Sequence, residues 1–215
     1  MATIPTSSRQ WILREKPVDF PTLEGKHATF ALTTADLPPL QPSQVLVKTI
    51  YLSNDPAQRG WISELRNPER LYVTPVEVGE PMRSFGVAMV ISSTSDTIAR
   101  GAIVLVTTNW TEYSIHDAKD CQVIQPLPNL RLSHFVGSFG LPGITAYYGL
   151  TQIAKATKED AVVISGAAGA TGSMAVQIAK KLIGCKRVSI YYILSARCYV
   201  PFINLIAGHR YCWHR

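Results

Sequence analysis

The chain has 215 residues, 47% apolar and 17% charged, enough for one or two packed domains and not a disordered composition. Its formal charge of +6 includes no Lys/Arg run or aromatic-basic stripe, so nucleic acid is not expected as a partner. Four cysteines with no C-x-x-C pair, and an N-terminus Met1-Ala-Thr-Ile-Pro that is no secretory signal, point to a reducing, cytoplasmic compartment.

Residues 1–140 read as one all-β domain. Short runs at 44–51, 86–93 and 102–107 are separated by Pro, Gly, Asn and Asp, the residues that punctuate strands. The cysteines Cys121, Cys185, Cys198 and Cys212 and the histidines show no zinc-ligand spacing, so no metal is expected. His116 beside Asp117 could be drawn as an acid–base pair, but a loop histidine next to a surface aspartate is the plainer reading.

The second domain opens within 141–187. Ala161-Val-Val-Ile164 is a β-branched run, as expected for a strand buried on both faces of a parallel sheet. Gly166, Gly169 and Gly172 follow at spacing three. Glycine there lets the backbone leave the strand sharply and bring N–H groups close to a pyrophosphate. The next helix, over 170–184, has Ala175, Ile178, Ala179 and Leu182 on one face, expected to pack on the sheet, and its N-terminus favours phosphate. The strict G-x-G-x-x-G is not met, because Ala167 stands where its first glycine would be; a structural glycine turn is the alternative.

After Arg187 the composition changes. No Asp or Glu occurs beyond Asp160, and 188–215 hold two of the four cysteines and three basic residues, Arg197, Arg210 and Arg215. A membrane anchor is not expected, because Arg197 and Pro201 interrupt a stretch that falls short of the roughly 20 apolar residues a span needs. Val188-Ser189 can be encoded as a splice donor, and Ala207-Gly208 can contain an acceptor. The expectation is that 188–207 translate a retained intron and 208–215 a shifted frame. Joining the permitted frame after Arg187 gives Val-Ile-Gly-Ile-Ala-Gly, a regular second strand and turn. A genuine short isoform is the alternative, and transcript sequence across the Arg187 codon decides between them.

Several segments together resemble the zinc-independent medium-chain dehydrogenase/reductases, and within them the NADP-dependent alkenal double-bond reductases, also called leukotriene B4 dehydrogenase or prostaglandin reductase-like proteins. They are 45–61, with Asn54-Asp55-Pro56-Ala57-Gln58-Arg59; 84–90, with Ser84-Phe85-Gly86; 110–114; 140–150; and the glycine turn. The likeness covers 10–187. It implies a GroES-like β-barrel followed by the start of a Rossmann doubly wound parallel sheet, C-terminally truncated.

The resemblance also implies roles. Gly166, Gly169, Ala170, Thr171 and Gly172 match the cofactor's pyrophosphate turn. Ala57 and Phe85 match substrate-pocket positions; plant members often have a tyrosine where Ala57 stands, so that contact is lost here. The implied cofactor is NADP(H), without zinc. The implied reaction is hydride transfer to the β-carbon of a small-molecule α,β-unsaturated carbonyl, with no catalytic side chain assignable. No membrane partner is implied, and a complete Rossmann unit would be expected to form a homodimer. Three alternatives accompany this reading: a quinone reductase, a catalytically inactive truncated form, and a partner subunit of the full-length reductase.

Overall fold

The computed structural model describes residues 4–64 and 73–191, and the chain divides into two compact units, Met1–Ser133 and His134–Arg215.

In the first unit, β1 (Ser7–Leu13) and β2 (Phe30–Asp36) pair antiparallel, with Trp11 opposite Leu32. A five-stranded antiparallel sheet is built from β3 (Gln44–Leu52), β4 (Gly86–Ser93), β5 (Ile103–Val106), β6 (Tyr113–Asp117) and β7 (Gln122–Ile124). Its order is β6-β3-β4-β5-β7. Single bridges from Gln10 to Thr111 and from Ile12 to Pro81 tie β1 to the segments flanking this sheet. The strands expected at 44–51, 86–93 and 102–107 are β3, β4 and β5, with ends shifted by at most one residue.

The period-2 pattern decides the core. Val45, Val47, Ala88, Val90, Val104 and Val106 alternate along three neighbouring strands and are buried together. Each of these valines, fully removed from water, contributes about 1.5–3 kcal/mol before chain entropy is counted. A second cluster joins Leu13 and Phe30 of the β1–β2 pair to Trp61, Ile62, Val76 and Met82. Trp110 packs tilted against Phe30, ring centroids 4.9 Å apart, and its backbone N–H donates to the Met82 carbonyl. The short helix α1 (Ala57–Trp61) is therefore anchored by its last residue in that cluster.

In the second unit, α2 (Leu141–Tyr148) continues as a π-helical turn over Gly149–Ile153 and leads to β8 (Ala161–Ser165). The glycine turn follows, then α3 (Ala170–Gln177), a π-helical segment Ile178–Ile183, and β9 (Arg187–Tyr191). β8 and β9 pair parallel, Ala161 opposite Arg187 and Ser165 opposite Tyr191. Helices and strands share one cluster that includes Ala146, Leu150, Val162, Ile164, Ala175 and Ile178.

Two sequence expectations need correction here. Leu182, expected on the packing face, is 65% exposed. The helix widens after Gln177, and the wider turn rotates Leu182 off the face and brings Ile183 against the cluster instead. β8 is fully buried on one side only: Val162 and Ile164 are buried and Val163 is half-buried, because α2 and α3 contribute to the cluster on the Val162–Ile164 side. The strand β9 runs on past Arg187 to Tyr191, with Val188 against the cluster. The remaining residues of the expected intron and frameshift, 192–215, lie outside the described residues.

Candidate functional site

The glycine turn is set by two backbone requirements. Gly166 has φ +60°, the left-handed region that costs a side-chain-bearing residue about 1–2 kcal/mol. Gly172 is a close-approach position: a Cβ there would strike the Gly166 carbonyl oxygen and lie 2.7 Å from Ala167 Cα. Gly169 caps α3 with ordinary φ, its N–H donating to Gly166 O at 2.9 Å. Ser173 N–H then donates to Gly169 O at 2.9 Å, closing the first helical turn.

A helix start leaves its first amides without intrahelical acceptors and carries partial positive charge. At α3 those residues are Ala170, Thr171 and Gly172, with no acidic residue in the first turn to oppose an anion. The absence of a Cβ at Gly172 keeps the turn tight against the helix. The five residues singled out in the sequence thus lie together on the turn and the first turn of α3.

Ala57 and Phe85 lie in the other unit. Ala57 is half-buried against the Leu13–Phe30–Trp61 cluster, while Phe85, just before β4, is 53% exposed. Hydrogen bonds through Ser53 link the segment before Ala57 to Phe85. Ser53 N–H donates to Phe85 O at 2.8 Å, and Ser53 Oγ donates to Asp55 Oδ2 at 2.7 Å. Sequence reasoning missed Gln58, an unassigned position inside Asp55-Pro56-Ala57-Gln58-Arg59. It is 5% exposed, and its amide joins α1 to the segment before Phe85. No motif marks it; only burial of an uncharged polar side chain does. Arg59 is the other tether, donating from Nη2 to the carbonyls of Pro17, Val18 and Asp19 at 3.0, 3.2 and 2.9 Å.

The same unit has an open groove of about 460 Å³ lined by Arg9, Trp11, Leu32, Leu52, Trp110, Thr111 and Glu112, which includes neither Ala57 nor Phe85. His116 is occupied locally, Nε2 lying 2.7 Å from Ser114 Oγ. Burial holds its pKa below the usual 6.5, against the raising pull of Asp120 and Asp117. Burial, with Asp120 and Asp117 adding to it, pushes the Cys121 thiol up to about 11, so it is not a poised thiolate. Among the described residues no group of three or more His, Cys, Asp or Glu is placed to hold a metal ion, and no helix is long and apolar enough to cross a membrane.

An antiparallel β unit followed by a parallel strand–glycine turn–helix unit is the build of a medium-chain oxidoreductase with a GroES-like N-terminal part. The chain belongs to the family described as the N-terminal domain of oxidoreductase, whose model matches residues 9–124. It is 36% identical over 183 residues to prostaglandin reductase 1 of Bos taurus, covering 84% of this chain and 51% of that one. It is 34% identical over 182 residues to the NADP(+)-dependent 2-alkenal reductase of Nicotiana tabacum, covering 83% and 51%. Among solved structures it is similar to CurA of Vibrio vulnificus in complex with NADPH, with TM-score 0.75 and 36% identity over 86% of this chain and 51% of that one. The chain thus spans about half the length of the relatives it matches.

Proposed function

We propose that this chain carries the acceptor-side β unit and the opening of the cofactor unit of an NADPH-dependent alkenal or enone double-bond reductase. The glycine turn is the observation that supports it most directly: a left-handed Gly166, and a Gly172 that admits no Cβ, on a chain 36% identical to a protein solved with NADPH. Gly166, Gly169, Ala170, Thr171 and Gly172 would hold the pyrophosphate through backbone amides. When bound, NADPH supplies the hydride that goes to the β-carbon of an α,β-unsaturated aldehyde or ketone, while a proton reaches the α-carbon. Phe85 gives the acceptor an apolar ring and no hydroxyl to donate. Ala57 leaves room that a larger residue would fill. No zinc is required in this chemistry. A cytoplasmic compartment, and a homodimer for a chain with a complete Rossmann unit, belong to the same proposal.

Isothermal titration of the full chain with NADPH and with NADH, followed by enone-dependent NADPH consumption, tests it. The expected result is saturable NADPH binding, weaker NADH binding, and consumption only when an enone is present. A folded chain that binds neither nucleotide overturns the proposal. NADPH binding without turnover would identify the inactive truncated form.

A further inference from the structure

We infer that Gln58 is a positioning residue for the acceptor wall, holding the helix of Ala57 and the segment of Phe85 that leads into β4 in one fixed relation. This rests on the proposed reading of Ala57 and Phe85 as acceptor contacts; the tie itself is read from the geometry.

The polar groups around Gln58 close into a ring. Asp55 N–H donates to Gln58 Oε1 at 2.9 Å, and Gln58 Nε2 donates to Arg83 O at 2.8 Å. The next residue, Ser84, donates from Oγ to Ser53 O at 2.6 Å. Ser53 Oγ returns to Asp55 Oδ2 at 2.7 Å. Ser53, Gln58 and Ser84 are all buried. The Phe85 carbonyl accepts from Ser53 N–H at 2.8 Å and lies 3.0 Å from Ser84 Oγ, whose one proton is within reach of either Ser53 O or Phe85 O.

Burying an amide side chain is unfavourable unless both its ends are partnered, and a satisfied buried network specifies one arrangement more sharply than apolar packing does. Gln58 has both ends partnered, and its two partners belong to different walls. Asp55 lies just before the N-cap of α1, and Arg83 leads into β4. Acceptor and hydride donor must meet within a narrow geometry, so a wall that shifts by a fraction of an ångström weakens acceptor binding without touching the cofactor turn.

The test uses the full chain with Gln58→Met and Gln58→Glu. Gln58→Met keeps the volume and removes both bonds. Gln58→Glu keeps the acceptor, and regains a donor only when its carboxyl is protonated. Enone KM and kcat, the NADPH dissociation constant and amide hydrogen exchange are read together. For Gln58→Met the expected result is an enone KM raised about tenfold, kcat and NADPH affinity within about twofold, and faster exchange at the Asp55 and Ser53 amides but not at Val104. For Gln58→Glu the KM defect should shrink as pH falls through the carboxyl's titration. Unchanged exchange at Ser53, or an unchanged enone KM in folded Gln58→Met, overturns the inference. If the unsubstituted chain binds neither NADPH nor NADH, the proposed function falls; if it binds NADPH and reduces no enone, no KM is read; in both cases exchange at Ser53 alone decides whether Gln58 makes the tie.

Discussion

Gly172 is packed so tightly under Gly166 that a single methyl on the first would collide with the carbonyl oxygen of the second. The contact pins the start of α3 to the end of β8 and sets a graded expectation. Gly172→Ala should be the most harmful of the three turn substitutions, costing about 1–3 kcal/mol by overpacking and abolishing NADPH binding. Gly166→Ala comes next, because φ +60° disfavours a side chain. Gly169→Ala should be mildest, since its Cβ would meet Gly166 O at 3.3 Å and could be accommodated by a small shift. Nucleotide titration of the three variants checks the order, and equal affinities would remove the pyrophosphate assignment.

Phe85 separates binding from stability. Its ring is half out of the core, so Phe85→Ala should change unfolding free energy by less than about 0.5 kcal/mol. The same change should raise the enone KM about tenfold if the ring packs on the acceptor. Urea unfolding and steady-state kinetics on one preparation check both halves. A large loss of stability with unaltered KM would make Phe85 a structural residue.

His116 gives the fold a pH dependence with a definite sign. Its folded pKa lies below 6.5 through burial, although Asp120 and Asp117 oppose the shift. The unfolded chain therefore binds more protons in the window between the two values. The contribution of His116 is fully present above 6.5 and is lost as pH falls through the lower, folded value. His116→Gln should flatten that decline, as measured by urea midpoints at about pH 7.5 and about pH 5. An identical slope in the variant would place the titrating group elsewhere.

Thr108 is fully buried, and among the described residues its Oγ1 has no hydrogen-bond partner. An unpaired hydroxyl in the interior is a net cost, and valine has nearly its shape. Thr108→Val should stabilise the β unit by about 1 kcal/mol, seen as a higher melting temperature. A lower one would mean that the hydroxyl has a partner such as a bound water.

Much of this was legible in the chain itself. The strands β3, β4 and β5 and the turn from β8 into α3 follow from local causes: β-branched alternation, and glycines where the backbone turns or crowds. The helix face was legible only to Ala179, because a switch from α to π geometry at Ile178 leaves no mark in an apolar period. Gln58 was invisible for a related reason. A glutamine in a short helix is usually solvated, and only the fold brings the Arg83 carbonyl to its amide.

The amino-acid sequence by itself thus determined β3, β4, β5 and the strand, turn and helix from β8 into α3, since these arise from residues close together along the chain. Only the tertiary structure decided that Ser53, Asp55, Gln58 and Ser84 share one hydrogen-bonded ring and that Leu182 faces outward. Those facts depend on segments up to about thirty residues apart meeting in a buried space, where an amide left unpartnered would be costly and a helix must adjust its pitch to pack.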